Sequence, residues 1–170
     1  MIKRSDIQKI INEYTDLRIG VLGSHSALEI MDGAKDENFE TIVFCQKGRE
    51  TPYQRFSRIA NEIKVLKKFS DMSSIKNQKM LRDTNTLVVP HRSLTAYLGY
   101  KTIENSFKVP IFGNRALFQA EERNNKKNQY YLLRKAGLKH PKIFKNPKDI
   151  NRPSIVKVQE KKRKLERAFF

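Results

Sequence analysis

The sequence predicts an α/β protein built on a mainly parallel sheet, and three observations carry that prediction. Short apolar runs of strand length alternate with segments whose apolar residues recur at helical spacing. Two of these strands run directly into small polar loops followed by helices, as in β-α-β units. The 170 residues, 38% of them hydrophobic, can form the core of one domain and part of another.

Helices and strands alternate over the first two thirds of the chain. Ser5 is expected to cap a helix whose apolar residues are Ile7, Ile10, Ile11 and Tyr14. The predicted strands are residues 18–22, 40–45, 63–66 and 86–89. The predicted helices are one starting at Ser24, one over 53–60 with Pro52 at its start, one containing Met72, Ile75, Met80 and Leu81, and one over 94–98 stopped by Gly99.

The character of the chain changes near Phe112 and Gly113. A long polar helix is predicted over 114–136, with Gly137 at its carboxyl-terminal cap, followed by a turn over 146–149. The last predicted strand, 154–158, contains Lys157 among apolar neighbours. Lys157 either extends from a packed strand toward an anionic partner or occupies the wet face of an edge strand.

The charge of the chain predicts anionic partners. Its net charge is +17; residues 1–115 hold 19 basic and 13 acidic side chains, and residues 116–170 hold 16 and 5. Such a field attracts nucleotides, nucleic acids and phosphorylated metabolites. Cys45, the one cysteine, lies in an apolar run and is expected to be a buried, inert thiol. No signal peptide or membrane-spanning run is recognised, so a cytoplasmic location is expected.

Two loops are the candidate binding elements. The Gly23–Ser26 segment joins the first strand to a helix, and the N–H groups of such a junction can hold a phosphate while His25 reaches a polar group. The loop 90–93 repeats the design after the fourth strand. Because parallel strands end at one edge of a sheet, His25 and Ser93 could face one site. The alternative for His25 is a helix-capping or buried structural role.

Other polar groups are weaker candidates. Arg92 is expected to contact the phosphate of the ligand, because a guanidinium can donate two parallel hydrogen bonds to phosphate oxygens. Arg49 and Glu50 either orient a ligand or form a surface ion pair. The Gly23–Ala27 segment lacks the final glycine of a serine-hydrolase elbow, so a serine hydrolase is not expected. His91 and His140 have no zinc-ligand spacing with Cys45, so a zinc site is not expected.

A set of motifs spread over nearly the whole chain resembles one enzyme family. The order and spacing of the motifs are together specific; they are Leu22-Gly-Ser-His-Ser-Ala27, Cys45-Gln-Lys-Gly-Arg-Glu50 with Tyr53 and Phe56, Val89-Pro-His-Arg-Ser93 with Tyr97-Leu-Gly99, Ala136-Gly137 with Pro141, and Ile155-Val-Lys-Val158. They resemble the archaeal ATP-grasp ligases that make 5-formamidoimidazole-4-carboxamide ribotide (FAICAR) from the aminoimidazole ribotide AICAR, formate and ATP.

The resemblance implies an architecture and a set of site residues. Residues 1–115 would form a Rossmann-like pre-ATP-grasp domain that binds the ribotide, and 116–170 the beginning of the ATP-grasp lobe. His25 and Ser93, with Ser24 and Arg92, would contact AICAR, and Lys157 and Lys145 would approach ATP. Formate would be activated as formyl phosphate in purine (IMP) biosynthesis, with Mg²⁺ or Mn²⁺ bridging the ATP phosphates. The full-length protein would be a homo-oligomer.

Two departures from the family pattern set the remaining expectations. Residues 158–167 contain no glycine where the family carries a glycine-rich phosphate loop. The metal ligands of the family lie beyond Phe170, so we expect this chain to be a fragment that cannot complete the reaction alone. The alternatives are a nucleic-acid-binding domain using the basic tail 157–170, a catalytically inactive ribotide-binding relative, and a solvated basic face.

Overall fold

The computed structural model describes residues 1–122 and 125–156. The described residues divide into two compact units, the first ending at Ala116 and the second beginning at Leu117. Lys157 and the basic tail 157–170, which the sequence singles out, lie outside the described residues. No helix among the described residues is long and apolar enough to cross a membrane.

The first unit is built on a four-stranded, all-parallel sheet, which confirms the predicted α/β class. The strands are β1 (Arg18–Leu22), β2 (Glu40–Gln46), β3 (Glu62–Leu66) and β4 (Thr86–Val88). Their order across the sheet is β3-β2-β1-β4. The chain therefore builds outward from β1 on one side and then crosses to its other side. This creates a topological switch point between β1 and β4, where parallel α/β sheets bind ligands.

Helices connect the strands at nearly the predicted positions. They are α1 (Arg4–Asn12), α2 (Ala27–Asp36), α3 (Thr51–Arg55), α4 (Ile75–Asp83), α5 (Arg92–Leu98) and α6 (Tyr100–Asn105), with a 3₁₀ helix over Phe69–Ser73 between β3 and α4. All four predicted strands are confirmed to within one residue at each end. The predicted helix over 94–98 starts earlier, at Arg92, because the side chain of His91 caps it.

Several predicted helix ends are wrong. Ser5 is not a cap, because α1 begins at Arg4. The helix after β1 starts at Ala27 instead of Ser24, since the intervening residues form a tight loop. The helix predicted over 53–60 ends at Arg55, and Ile59 and Ala60 instead pack in the core. Pro52 lies in the first turn, as expected.

The helix predicted around Met72 is two helices. Met72 belongs to the 3₁₀ helix and is fully buried, whereas Ile75 begins α4 and is 86% exposed. The separation occurs at Ser74, whose extended backbone and hydroxyl cap α4 by accepting a hydrogen bond from the Asn77 N–H. The helical spacing of the apolar residues thus continues across Ser74, although the backbone starts a new helix there.

The centre of the sheet is packed without room for additional atoms. A Cβ on Gly20 of β1 would lie 2.5 Å from the Thr86 methyl group on β4. Thr41 of β2 is buried, and its hydroxyl donates to the Ile59 carbonyl at 2.6 Å. Cys45 is buried as predicted, and burial raises the pKa of its thiol. A protonated, inaccessible thiol fits the expected structural role.

The second unit has less regular structure than the sequence predicts. Instead of one helix over 114–136, the chain has a 3₁₀ helix (Arg115–Glu121), which begins in the last residues of the first unit, and a short helix α7 (Gln129–Lys135). Asn128 starts α7 by accepting from the Tyr131 N–H, which marks a separate helix beginning. Ser154–Val156 are exposed and belong to no strand. Residues 157–158 of that predicted strand lie outside the described residues.

Two predicted chain reversals in this unit are confirmed. Gly137 has a φ of +68° after α7, and the N–H groups of Gly137 and Leu138 donate to the carbonyls of Arg134 and Leu133. This pair of bonds is the Schellman motif, which needs a left-handed residue. The turn over 146–149 is a 3₁₀ helix, Pro147–Asp149, capped by the Asn146 side chain.

Candidate functional site

Two loops meet at the switch point of the sheet. The β1–α2 loop, residues 23–26, leaves the carboxyl end of β1, and the β4–α5 loop, residues 89–91, leaves the carboxyl end of β4. The two strands are hydrogen-bonded neighbours, with Gly20 in register with Val88. The loops therefore begin side by side at one edge of the sheet.

Gly23 fixes the path of the β1–α2 loop. A Cβ at this position would lie 2.9 Å from Cys45 Cβ and 3.0 Å from both Tyr53 Cε2 and Val43 Cγ2. Only glycine lets the loop lie this close to β2 and α3. The Gly23 N–H donates to the Phe44 carbonyl at 2.7 Å, which anchors the loop to β2. The residues that follow are thereby held in a defined position at the carboxyl end of β1.

Ser24 and Ser93 join the two loops directly. The Ser93 hydroxyl donates to the Ser24 hydroxyl at 3.1 Å. Ser93 is buried in the first turn of α5, and Ser24 is half-buried. The structure thus brings together two of the residues expected at the site, 69 positions apart in the chain. Paired hydroxyls of this kind can donate and accept hydrogen bonds with a polar ligand.

His91 holds the β4–α5 loop in place. Its Nε2 lies 2.8 Å from the Leu22 carbonyl, and its Nδ1 accepts from the Ser93 N–H at 3.3 Å. A carbonyl only accepts, so Nε2 carries the proton and the ring is neutral. Burial lowers the pKa of His91, with the nearby His25 adding to the effect. Sequence reasoning missed this residue, although its place in a loop just after a strand was a usable signal.

His25 is exposed, so a buried structural role for it is wrong. Its Nδ1 lies 2.7 Å from the Ser26 hydroxyl, within the same loop. Ser26, not His25, occupies the cap position of α2. The loops that carry His25 and His91 follow the neighbouring strands β1 and β4, so the two residues lie at the same edge of the sheet. His25 is therefore available to a ligand, beside the Ser24–Ser93 pair.

The start of α2 favours an anion. The N–H groups of Gly23 and Ser24 donate to protein carbonyls, whereas those of His25 and Ser26 have no acceptor among the described residues. The helix is ten residues long, and its dipole places partial positive charge at this end. In the phosphate cradle expected at residues 23–26, the N–H groups of His25 and Ser26 can therefore bind a ligand. Those of Gly23 and Ser24 already donate to protein carbonyls.

The neighbouring β2–α3 loop, residues 47–50, adds charged groups. Among the described residues no ion pair joins Arg49 to Glu50, so the surface ion pair considered from sequence is not formed. Glu50 turns inward, and its Oε2 is the one buried side-chain polar atom in the described chain without a hydrogen-bond partner. Arg92 is exposed as the first residue of α5.

The second unit contributes less that can be assigned. Lys145 is exposed after the 142–144 segment, and Lys157 lies outside the described residues. Within residues 1–122 and 125–156, no group of three His, Cys, Asp or Glu side chains is placed to hold a metal ion. The described residues therefore do not fit a divalent metal site.

Comparison with known proteins finds similarity to synthetases from archaea. It is 47% identical to the 5-formaminoimidazole-4-carboxamide-1-(beta)-D-ribofuranosyl 5'-monophosphate synthetase of Methanopyrus kandleri, over 92% of this chain and 44% of that protein. The Methanocaldococcus jannaschii protein of the same name is 42% identical, over 92% and 43%. The chain thus spans less than half the length of the curated relatives it matches.

A solved structure shares the fold. The crystal structure of an IMP biosynthesis protein PurP from Thermococcus kodakaraensis matches with a TM-score of 0.59 and 30% identity, over 78% of this chain and 41% of that one. The family described as "Protein of unknown function (DUF1246)" matches residues 19–144, which include both loops of the site. The chain therefore belongs to the DUF1246 family.

Proposed function

We propose that the first unit binds the ribotide AICAR as the substrate-binding part of an ATP-dependent carbon–nitrogen ligase that forms FAICAR. The observation that carries the proposal is the junction of the two loops at the switch point, with Ser24 and Ser93 hydroxyls 3.1 Å apart. The names of the relatives supply the substrate class, and the loop geometry supplies a place for it.

The chemistry of a ribotide matches the groups at this edge. Its phosphate needs N–H donors and positive charge, which the start of α2 offers through His25 and Ser26. Its hydroxyl and amide groups need partners that both donate and accept, which Ser24 and Ser93 provide. His25 and Ser93 would contact AICAR directly, with Ser24 and Arg92 beside them. His91 would act indirectly, by holding Ser93 in position.

The reaction of the whole protein would join AICAR and formate with consumption of ATP, releasing ADP and phosphate. Lys145 and Lys157 are proposed to face the ATP phosphates as point charges. The described residues do not fit a metal ion, so no Mg²⁺ or Mn²⁺ ligand is proposed among them. An ATP-grasp lobe beginning after residue 115, a homo-oligomeric full-length protein and a cytoplasmic location belong to the same proposal.

Isothermal titration of the purified chain with AICAR tests the binding function. We expect saturable binding that His25→Ala and Ser93→Ala each weaken by at least about tenfold, as loss of a hydrogen bond to a charged or buried group does. His140→Ala and Ser106→Ala serve as matched controls, since each of these side chains bonds a nearby carbonyl in the sequence, that of Pro141 or of Thr102. Absence of AICAR binding, or equal losses in the controls, would contradict the proposal.

A further inference from the structure

Arg49 lies in the β2–α3 loop and is held there by an aromatic ring. Its guanidinium carbon is 5.6 Å from the centroid of the Phe69 ring, within the range of cation–π attraction. Phe69 is 1% exposed, and its ring packs against Tyr97 of α5 with centroids 4.5 Å apart. The exposed Arg49 side chain is therefore positioned by a buried and rigid surface.

This stack of Arg49, Phe69 and Tyr97 flanks the two loops of the site. Tyr97 follows Ser93 by four residues in α5, so the two side chains share one face of the helix. On the other side, β2 is hydrogen-bonded to β1, and the loops after both strands leave the same edge of the sheet. Tyr53, in the helix that follows the Arg49 loop, has its ring beside Gly23 of the β1–α2 loop.

The guanidinium of Arg49 retains its capacity to bind an anion. No carboxylate among the described residues forms an ion pair with it, and the adjacent Glu50 is turned into the protein. Stacking on a ring uses the face of a guanidinium and leaves its in-plane N–H groups open to another partner. Those N–H groups form a fork that matches two oxygens of a phosphate group.

We propose that Arg49 recognises the phosphomonoester of the bound ribotide and thereby sets a preference for the ribotide over the corresponding riboside. The N–H groups of His25 and Ser26 would serve the remaining phosphate oxygens. This assignment rests on the proposed ribotide-binding function, and it adds a residue that determines specificity within that site. Phe69 and Tyr97 position Arg49 without touching the ligand.

The test compares the affinities of AICAR and its riboside, which lacks the phosphate, for the purified chain and its Arg49 variants. Arg49→Met should weaken AICAR binding by about 10- to 100-fold, the usual effect of losing a hydrogen-bonded charge. The affinity for the riboside should change by less than about threefold, within ordinary context dependence. Arg49→Lys should fall between, because it keeps the charge but loses the fork.

Lys35→Met is the charge-matched control, since Lys35 lies in the last turn of α2, at the opposite edge of the sheet. Unchanged AICAR affinity in Arg49→Met, or equal losses for ribotide and riboside, would overturn the assignment. If the wild-type chain binds neither compound, the proposed function fails. In that case the chain is titrated with ribose 5-phosphate and with inorganic phosphate while the NMR signal of the Arg49 Nε–H is followed. A saturable shift of that signal supports phosphate binding by Arg49, and the absence of a shift refutes it.

Discussion

Replacing Gly23 by alanine tests whether the β1–α2 loop is packed as tightly as the structure shows. The new Cβ would lie 2.9 Å from Cys45 Cβ and 3.0 Å from Tyr53 and Val43, distances at which the neighbours must move. All three neighbours are buried, with little room to shift. Overpacking of this kind costs about 1–3 kcal/mol of unfolding free energy. The displaced loop should also weaken AICAR binding.

Gly33 of α2 provides the opposite control in the same strand–loop–helix unit. Nothing lies within 4 Å of the Cβ that an alanine would add there, and the residue is in the interior of a helix. Gly33→Ala should therefore stabilise the chain by about 0.5–1 kcal/mol. Urea unfolding followed by far-UV circular dichroism measures both variants. Equal stability of Gly23→Ala and the wild type, or destabilisation by Gly33→Ala, would refute the packing argument.

Three further predictions concern half-buried polar side chains. Glu50→Met should raise the free energy of unfolding by about 1–3 kcal/mol in urea, because it removes a buried carboxylate oxygen that lacks a partner; a loss of stability would show that Glu50 is satisfied. His91 has its pKa lowered by burial, so its neutral form stabilises the fold above about pH 6.5, the ordinary value, and this contribution is lost as the pH falls through the folded pKa. Urea midpoints between pH 7.5 and 5 should therefore fall more steeply in the wild type than in His91→Gln, and parallel curves would contradict this. Arg115→Met should destabilise the first unit by about 3 kcal/mol, since its half-buried guanidinium donates to the carbonyls of Ile103, Phe107 and Val109; a change below about 1 kcal/mol in thermal unfolding would indicate that these bonds are dispensable.

The strands were predictable from sequence because buried parallel strands are continuous apolar runs bounded by polar turns. Helix ends were less predictable, since they depend on which residue caps the free N–H groups of the first helical turn. Ser74 divides one apolar pattern into two helices, and Asn128 begins a helix inside a stretch that looks uniform. Strand order was not predictable, because it depends on contacts between distant segments that no local pattern records.

The candidate site was predictable in part, because its loops directly follow strands that the sequence identifies. Small residues after a strand mark a ligand loop, so Ser24, His25 and Ser93 could be identified. Their arrangement depends on packing: the Ser24–Ser93 contact needs β1 and β4 to be neighbours. The roles of His91 and Arg49 depend on partners far away in sequence, the Leu22 carbonyl and the Phe69 ring. Lys145 and Lys157 stay predictions.

The most direct test of the ribotide site is an NMR titration of the ¹⁵N-labelled chain with AICAR. We expect saturable shifts at the N–H groups of His25, Ser26 and Ser93, with smaller shifts at His91. The amino-terminal edge of the sheet, around Arg18 and Glu40, should not respond. Saturable shifts confined to other parts of the chain, or no shifts at millimolar AICAR, would contradict the central claim.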